Sequence, residues 1–138
     1  MFGSLDISTS ALTAYRTQLD VIAGNIAMKD VTRDAAGNSV PYRRRVALFA
    51  PNAANGSGAP GVHVESVVED PSPFALRWAP NHVDAIQSGK HKGYVRYSNV
   101  DYHTEMVNAM TAARAYEANV TVMEMTKRMA STALRLIG

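Results

Sequence analysis

The 138-residue chain has no cysteine, which excludes disulfides and thiolate zinc sites alike. No stretch approaches the roughly 20 consecutive apolar residues that a membrane-spanning helix requires. The opening Met1-Phe2-Gly3-Ser4-Leu5-Asp6 carries no basic segment, and no cleavable apolar run follows it. No secretory signal is therefore expected, and a destination outside the cytoplasm would need another export route. Excess charge is missing too: the net charge is +2 and the isoelectric point near 9.0, too slight a bias to demand a polyanionic partner. Proline is absent from both ends, because all six prolines lie between Pro41 and Pro80. An apolar content of 46% with 19% charged residues is that of a chain that folds, and the length is that of one domain.

Where proline is missing, apolar residues return at helical spacing. Leu5, Leu12, Leu19 and Ile26 recur every seven residues, with Tyr15 and Ile22 three residues behind Leu12 and Leu19. This predicts a helix within 1–29, about 35 Å long. At the other end Met106, Ala113, Val120 and Leu134 share one heptad position, interrupted by Lys127. Ala109, Tyr116, Met123, Ala130 and Ile137 follow three residues later, completing the alternation of a coiled-coil seam. A helix of about 50 Å is predicted over 101–138, with Asp101 as cap, Glu105 in its first turn, and Lys127, Arg128 and Arg135 near its end to suit the dipole. Asn25 and Asn119 each precede a seam position, where they either fix helix register through hydrogen bonds or lie on a solvated flank. The methionines of the second helix read as gap-filling seam residues.

The middle, 30–100, holds every proline and six of the nine glycines, and reads as short strands separated by turns. Arg45–Phe49 runs to Pro51, Val62–Val67 runs to Asp70-Pro71, and Phe74–Trp78 runs to Pro80. Asn52–Gly61 forms a turn-rich tip. The fold class expected is mostly α with a small β-rich insert. A pair of helices with one narrow apolar stripe each leaves a small monomer under-packed. The long terminal helices are therefore expected to pack as a coiled-coil-like bundle in an assembly, and a head-to-tail contact that does not close gives an open helical filament. A monomeric helical hairpin, and a soluble helical adaptor or secreted interaction protein that folds with one partner, are the competing readings.

Two terminal blocks carry a resemblance. Leu5-Asp6-Ile7-Ser8-Thr9-Ser10-Ala11-Leu12-Thr13-Ala14 with Asp20-Val21-Ile22-Ala23-Gly24-Asn25-Ile26-Ala27 resembles the amino-terminal signature of the flagellar rod and hook protein family. Glu105-Met106-Val107-Asn108 with Ala113-Arg114-Ala115-Tyr116-Glu117-Ala118-Asn119 is similar to its carboxy-terminal signature. Pro41-Tyr42-Arg43-Arg44, Glu69-Asp70-Pro71-Ser72-Pro73-Phe74, Pro80-Asn81-His82-Val83-Asp84-Ala85 and Gly93-Tyr94-Val95 resemble the proximal rod members in particular. Met28, Lys29 and Asp30 depart from the family pattern, which has a second Asn followed by small polar residues. The resemblance implies a structural subunit of the bacterial flagellar basal-body rod, building a helical axial tube that transmits torque across the periplasm. It implies export through the flagellar type III apparatus without a cleaved signal. It further implies contacts with other copies of the chain, with adjacent proximal and distal rod subunits, and with the membrane-ring junction protein.

The assembly interface is then expected on Leu5, Leu12, Tyr15, Leu19, Ile22, Asn25 and Ile26 of the first helix. On the second it is expected on Met106, Ala109, Ala113, Tyr116, Asn119, Val120, Met123, Leu134 and Ile137. No enzyme, cofactor, metal, nucleic acid or small-molecule substrate is expected. His63, His82, His91 and His103 are scattered, and the one close pair, His82 and Asp84, lacks a third ligand at a useful spacing. The triplet Arg43-Arg44-Arg45 has no interleaved aromatic platform for nucleic acid, and reads as a charged strand edge or an ion-pairing contact with a neighbouring subunit.

Overall fold

Proline-free, alanine- and leucine-rich ends give two long helices in the computed structural model, which describes residues 2–52 and 60–137. Helix α1 spans Phe2–Ala27 and helix α2 spans Tyr102–Ile137, 26 and 36 residues respectively. Asp101 caps α2 as expected, its carboxylate accepting from the His103 amide at 3.0 Å and the Thr104 hydroxyl at 3.1 Å. These bonds hold the Asp101 pKa below the usual carboxylate range, the His103 amide contributing most. The helices run side by side and antiparallel, because Asn25 at the end of α1 hydrogen-bonds to Glu105 at the start of α2.

Threonines on both helices turn their hydroxyls onto their own backbone. Thr9, Thr13 and Thr17 donate to the carbonyls of Leu5, Thr9 and Thr13 on α1. Thr111, Thr121, Thr126 and Thr132 donate to the carbonyls four residues back on α2.

Between the helices the described residues form four strands in two antiparallel hairpins. Strand β1, Arg45–Pro51, pairs with β2, Val62–Glu69, from Arg45 opposite Glu69 to Pro51 opposite Val62. A register shift between Leu48 and Phe49 leaves Glu65 as the extra, bulged residue. Most of the turn-rich tip, 53–59, lies outside the described residues. Strand β3, Ala75–Trp78, pairs with β4, Tyr94–Tyr97. The sequence reading missed β4, although Tyr94-Val95-Arg96-Tyr97 behind Gly93 has the aromatic and β-branched content of a strand. The first hairpin rests on α1: Ser10 Oγ accepts from the Val62 amide at 3.0 Å, and Tyr15 meets Phe49 edge to face at 5.5 Å. Val95 of β4, at 0% exposure, anchors the second hairpin in the core.

The chain leaving α1 is pinned to the β3–β4 connection. Thr32 and Arg33 donate to the two carboxylate oxygens of Asp84 at 2.9 and 2.8 Å. The Arg33 bond is the main reason the Asp84 pKa lies below its ordinary value. Asp84 is therefore taken by Thr32 and Arg33, and His82 Nδ1 stays 3.9 Å from it.

Gly93 is needed where it stands. Its φ is +81°, and a Cβ there would lie 2.6 Å from the ring of Trp78. Gly93→Ala is expected to lower stability by about 1–3 kcal/mol. Trp78 is the single tryptophan, so a reduced urea midpoint would be read directly from its fluorescence.

The chain leaves a large surface open. It exposes 9545 Å², whereas a compact monomer of 14.9 kDa exposes about 7000 Å².

Candidate assembly interface

Small side chains bring α1 and α2 together. Ser8, Ala11, Ile22 and Asn25 are buried on α1, Glu105 and Ala112 on α2. On α1 these positions follow a 3-4 alternation through Tyr15 and Gln18, so one stripe faces α2. On α2 the stripe passes through Glu105, Ala112 and Asn119, with Ala109, Tyr116 and Met123 beside them.

The residues expected at the interface divide accordingly. Ile22 and Asn25 are buried within this chain. Leu5, Leu12, Tyr15, Leu19 and Ile26 are half-buried, as are Ala109, Ala113, Tyr116, Asn119, Val120 and Met123. Met106 and Leu134 are exposed, Leu134 to 72%. The side chain of Ile137 lies outside the described residues. Within the chain the α2 seam thus falls one residue ahead of the Met106, Ala113, Val120 and Leu134 column. Glu105 explains the offset: drawn inward by Arg44 and Asn25, it sets the rotation of α2 and leaves that column on the flank.

The two displaced columns share a side. Ser10, Ala14 and Thr17 of α1 lie against β2. A helical step of about 100° places Leu5, Leu12, Leu19 and Ile26 on the opposite flank. Antiparallel pairing then brings Met106, Ala113, Val120 and Leu134 to that same flank. The outward face of α2 also exposes apolar side chains, Val107, Met110, Met125, Met129 and Leu136, the last to 84%, set among Arg114, Glu117 and Arg128.

A polar joint fixes the angle between helices and insert. Asn25 and Glu105 are both at 0% exposure. Asn25 Nδ2 donates to Glu105 Oε2 at 2.9 Å and to the Arg45 carbonyl at 2.8 Å. Its Oδ1 accepts from the Arg45 amide at 2.9 Å and from the Tyr42 hydroxyl at 3.0 Å. Arg44 donates through Nε to Glu105 Oε1 at 2.7 Å and through a terminal nitrogen to Asp70 at 3.1 Å. Burial opposes the Arg44 charge, but the bonds and charges of Glu105 and Asp70 outweigh it and raise its pKa. Hydrogen bonds from the Ser72 hydroxyl and amide, and then from Arg44, hold the Asp70 pKa below the usual range.

Arg43 and Arg44 therefore work inside the chain, where a neighbour's carboxylate was one expectation, while Arg45 is exposed at the start of β1 as a charged strand edge. Arg43 donates to the carbonyls of Asp70 and Ser72 at 3.1 Å and stacks over Phe74 at 4.4 Å. Arg45 lies over the Tyr42 ring at 5.7 Å. Asn25 has the hydrogen-bonding role between helices weighed for it, joining α1 to Glu105 of α2 within the chain. Asn119 bonds to the Ala115 carbonyl of its own helix at 2.8 Å. Sequence reasoning missed Arg44, Asp70 and Glu105 as a unit, since periodicity scores a glutamate and an arginine as surface.

Known proteins match this chain along its length. Residues 91–136 match the family described as flagellar basal body rod FlgEFG protein C-terminal. Flagellar basal-body rod protein FlgC of Borreliella burgdorferi is 40% identical, over 99% of this chain and 97% of the relative. The chain belongs to the family of flagellar basal-body rod protein FlgC. FlgC of Bacillus subtilis is 39% identical over 98% of this chain and 97% of its own length. FlgC of Escherichia coli O157:H7 is 41% identical over 95% and 93%. A FlgC-family chain is a structural subunit of the flagellar basal-body rod, so the exposed helix faces belong to a protein that works in company.

Proposed function

We propose that this chain is a non-enzymatic proximal-rod subunit whose terminal helices pack with those of neighbouring subunits into a helical tube that transmits torque. The observation that carries this reading is the surface it leaves uncovered. The excess over a compact monomer is about 2500 Å², the range of obligate interfaces, and its most apolar part lies along α2. Leu5, Leu12, Leu19 and Ile26 with Met106, Ala113, Val120 and Leu134 form one lateral contact. Val107, Met110, Met125, Met129 and Leu136 form another on the outward side. Two contacts on different flanks suit a lattice of subunits better than one complex with a single adaptor partner.

In this reading the partners are further copies of the chain, the adjacent proximal and distal rod subunits and the membrane-ring junction protein. The chain reaches the periplasm through the flagellar type III apparatus without a cleaved signal. No nucleic acid, cofactor or small-molecule substrate takes part. Removing residues 122–138 is expected to leave the truncated chain detectable in the export fraction while abolishing rods in electron micrographs of isolated basal bodies, and swarming with them. Rods of normal length containing the truncated chain would end the proposal.

A further inference from the structure

The insert holds two hairpins of two strands each, and a hairpin that small is marginal by itself. Each has an open edge. Among the described residues, no backbone hydrogen bond beyond the β1 ladder reaches Ser66–Glu69, and none beyond the β4 ladder reaches Ala75–Trp78. Every residue of both four-residue runs is exposed, with Trp78 at 63%. The two edges cannot meet within one chain. The link between them is pinned, since Arg43 and Asn99 both hold the carbonyls of Asp70 and Ser72.

From this we infer that the outer edge of β2 in one copy pairs with the outer edge of β3 in the next, joining two hairpins into an intermolecular four-stranded sheet. Strand addition of this kind supplies main-chain hydrogen bonds, and side chains alternating between faces set its register. The runs match in length once the bulge at Glu65 is passed. Antiparallel pairing with Val68 opposite Leu76 places Ser66 opposite Trp78 and Val67 opposite Arg77. One face of the joint sheet then carries Val68, Leu76 and Trp78 together. The other brings the Arg77 cation diagonally toward Glu69 and near the bulged Glu65. A slip of one residue would set Leu76 and Trp78 among the glutamates instead. Arg77 stacks on Tyr97 at 4.6 Å and forms an exposed ion pair with Asp30 at 3.6 Å, a solvent-screened contact weak enough to be exchanged for a neighbour's carboxylate.

The inference rests on the rod-subunit reading, and one experiment separates their failures. The chain has no cysteine, so introduced thiols meet no native competitor. Full-length Val68→Cys and Leu76→Cys variants are produced together in one cell, and basal bodies are isolated and oxidised. Non-reducing gels are expected to show a disulfide dimer for that pair. Val67→Cys with Leu76→Cys, whose side chains leave opposite faces, is expected to stay monomeric. Rods that contain both variants yet show no Val68–Leu76 dimer overturn the strand pairing and leave the assembly reading standing. Equal dimer from both pairs also overturns it, because loose proximity has no two-residue period. Basal bodies whose rods lack the chain altogether, wild type included, overturn both.

Discussion

Glu105→Ala is expected to destabilise the chain by about 3–5 kcal/mol, the loss that follows when one member of a buried ion pair is removed. Glu105 has no exposed surface, and its two oxygens are used separately, one by Arg44 and one by Asn25. Alanine leaves the partly buried Arg44 guanidinium with Asp70 alone and takes an acceptor from the Asn25 amide. A domain of this size has only about 5–15 kcal/mol of stability, so the variant stands near unfolding. Glu105→Gln keeps the shape and the acceptor for Asn25 but removes the charge facing Arg44, and an intermediate loss is expected. Urea unfolding followed by Trp78 fluorescence and by helix circular dichroism gives both values. A loss under 1 kcal/mol for the alanine variant would show that the joint is ornamental to the fold.

Met125→Asp and Leu134→Asp are expected to do the opposite. Both side chains are exposed in the single chain, so stability should change by no more than about 0.5 kcal/mol. In a packed rod the same carboxylates would be driven into apolar contact, where an unpaired charge is not tolerated. The expected result is normal folding and secretion with loss of the chain from isolated rods and loss of swarming. Wild-type incorporation of Met125→Asp would remove the outward face of α2 from the interface, and wild-type incorporation of Leu134→Asp the lateral column. The contrast matters, because a substitution that harms assembly only by unfolding the subunit would move both measurements together.

The sequence made the two helices legible because proline exclusion and heptad spacing are local signals, and Asp101 was visible as a cap for the same reason. The columns through Leu12 and Val120 were also readable as apolar, but which column faces the sister helix was not. That choice depends on Glu105, whose partners Asn25 and Arg44 are 80 and 61 residues away in the chain. No periodicity carries contacts of that range. Strand β4 was lost because Tyr94–Tyr97 is short and follows a loop rich in lysine and glycine. Arg43 and Arg44 looked like surface because their partners come from separate segments, around Glu105 and around Asp70.

The threonines of the two helices bear on how, in the proposed reading, one chain would serve as both traveller and masonry. Each hydroxyl that bonds backward to a carbonyl of its own turn already has its donor met, and away from β2 such a residue leaves no free donor on the surface. Water wets such a surface while the molecule is alone. A neighbour can then press against it without stranding a single proton, so these positions set no directional condition on who sits beside them or at what rotation. In the proposed rod, tight lateral fit would be left to the leucines and methionines, and orientation to the few charged groups that still have bonds to give.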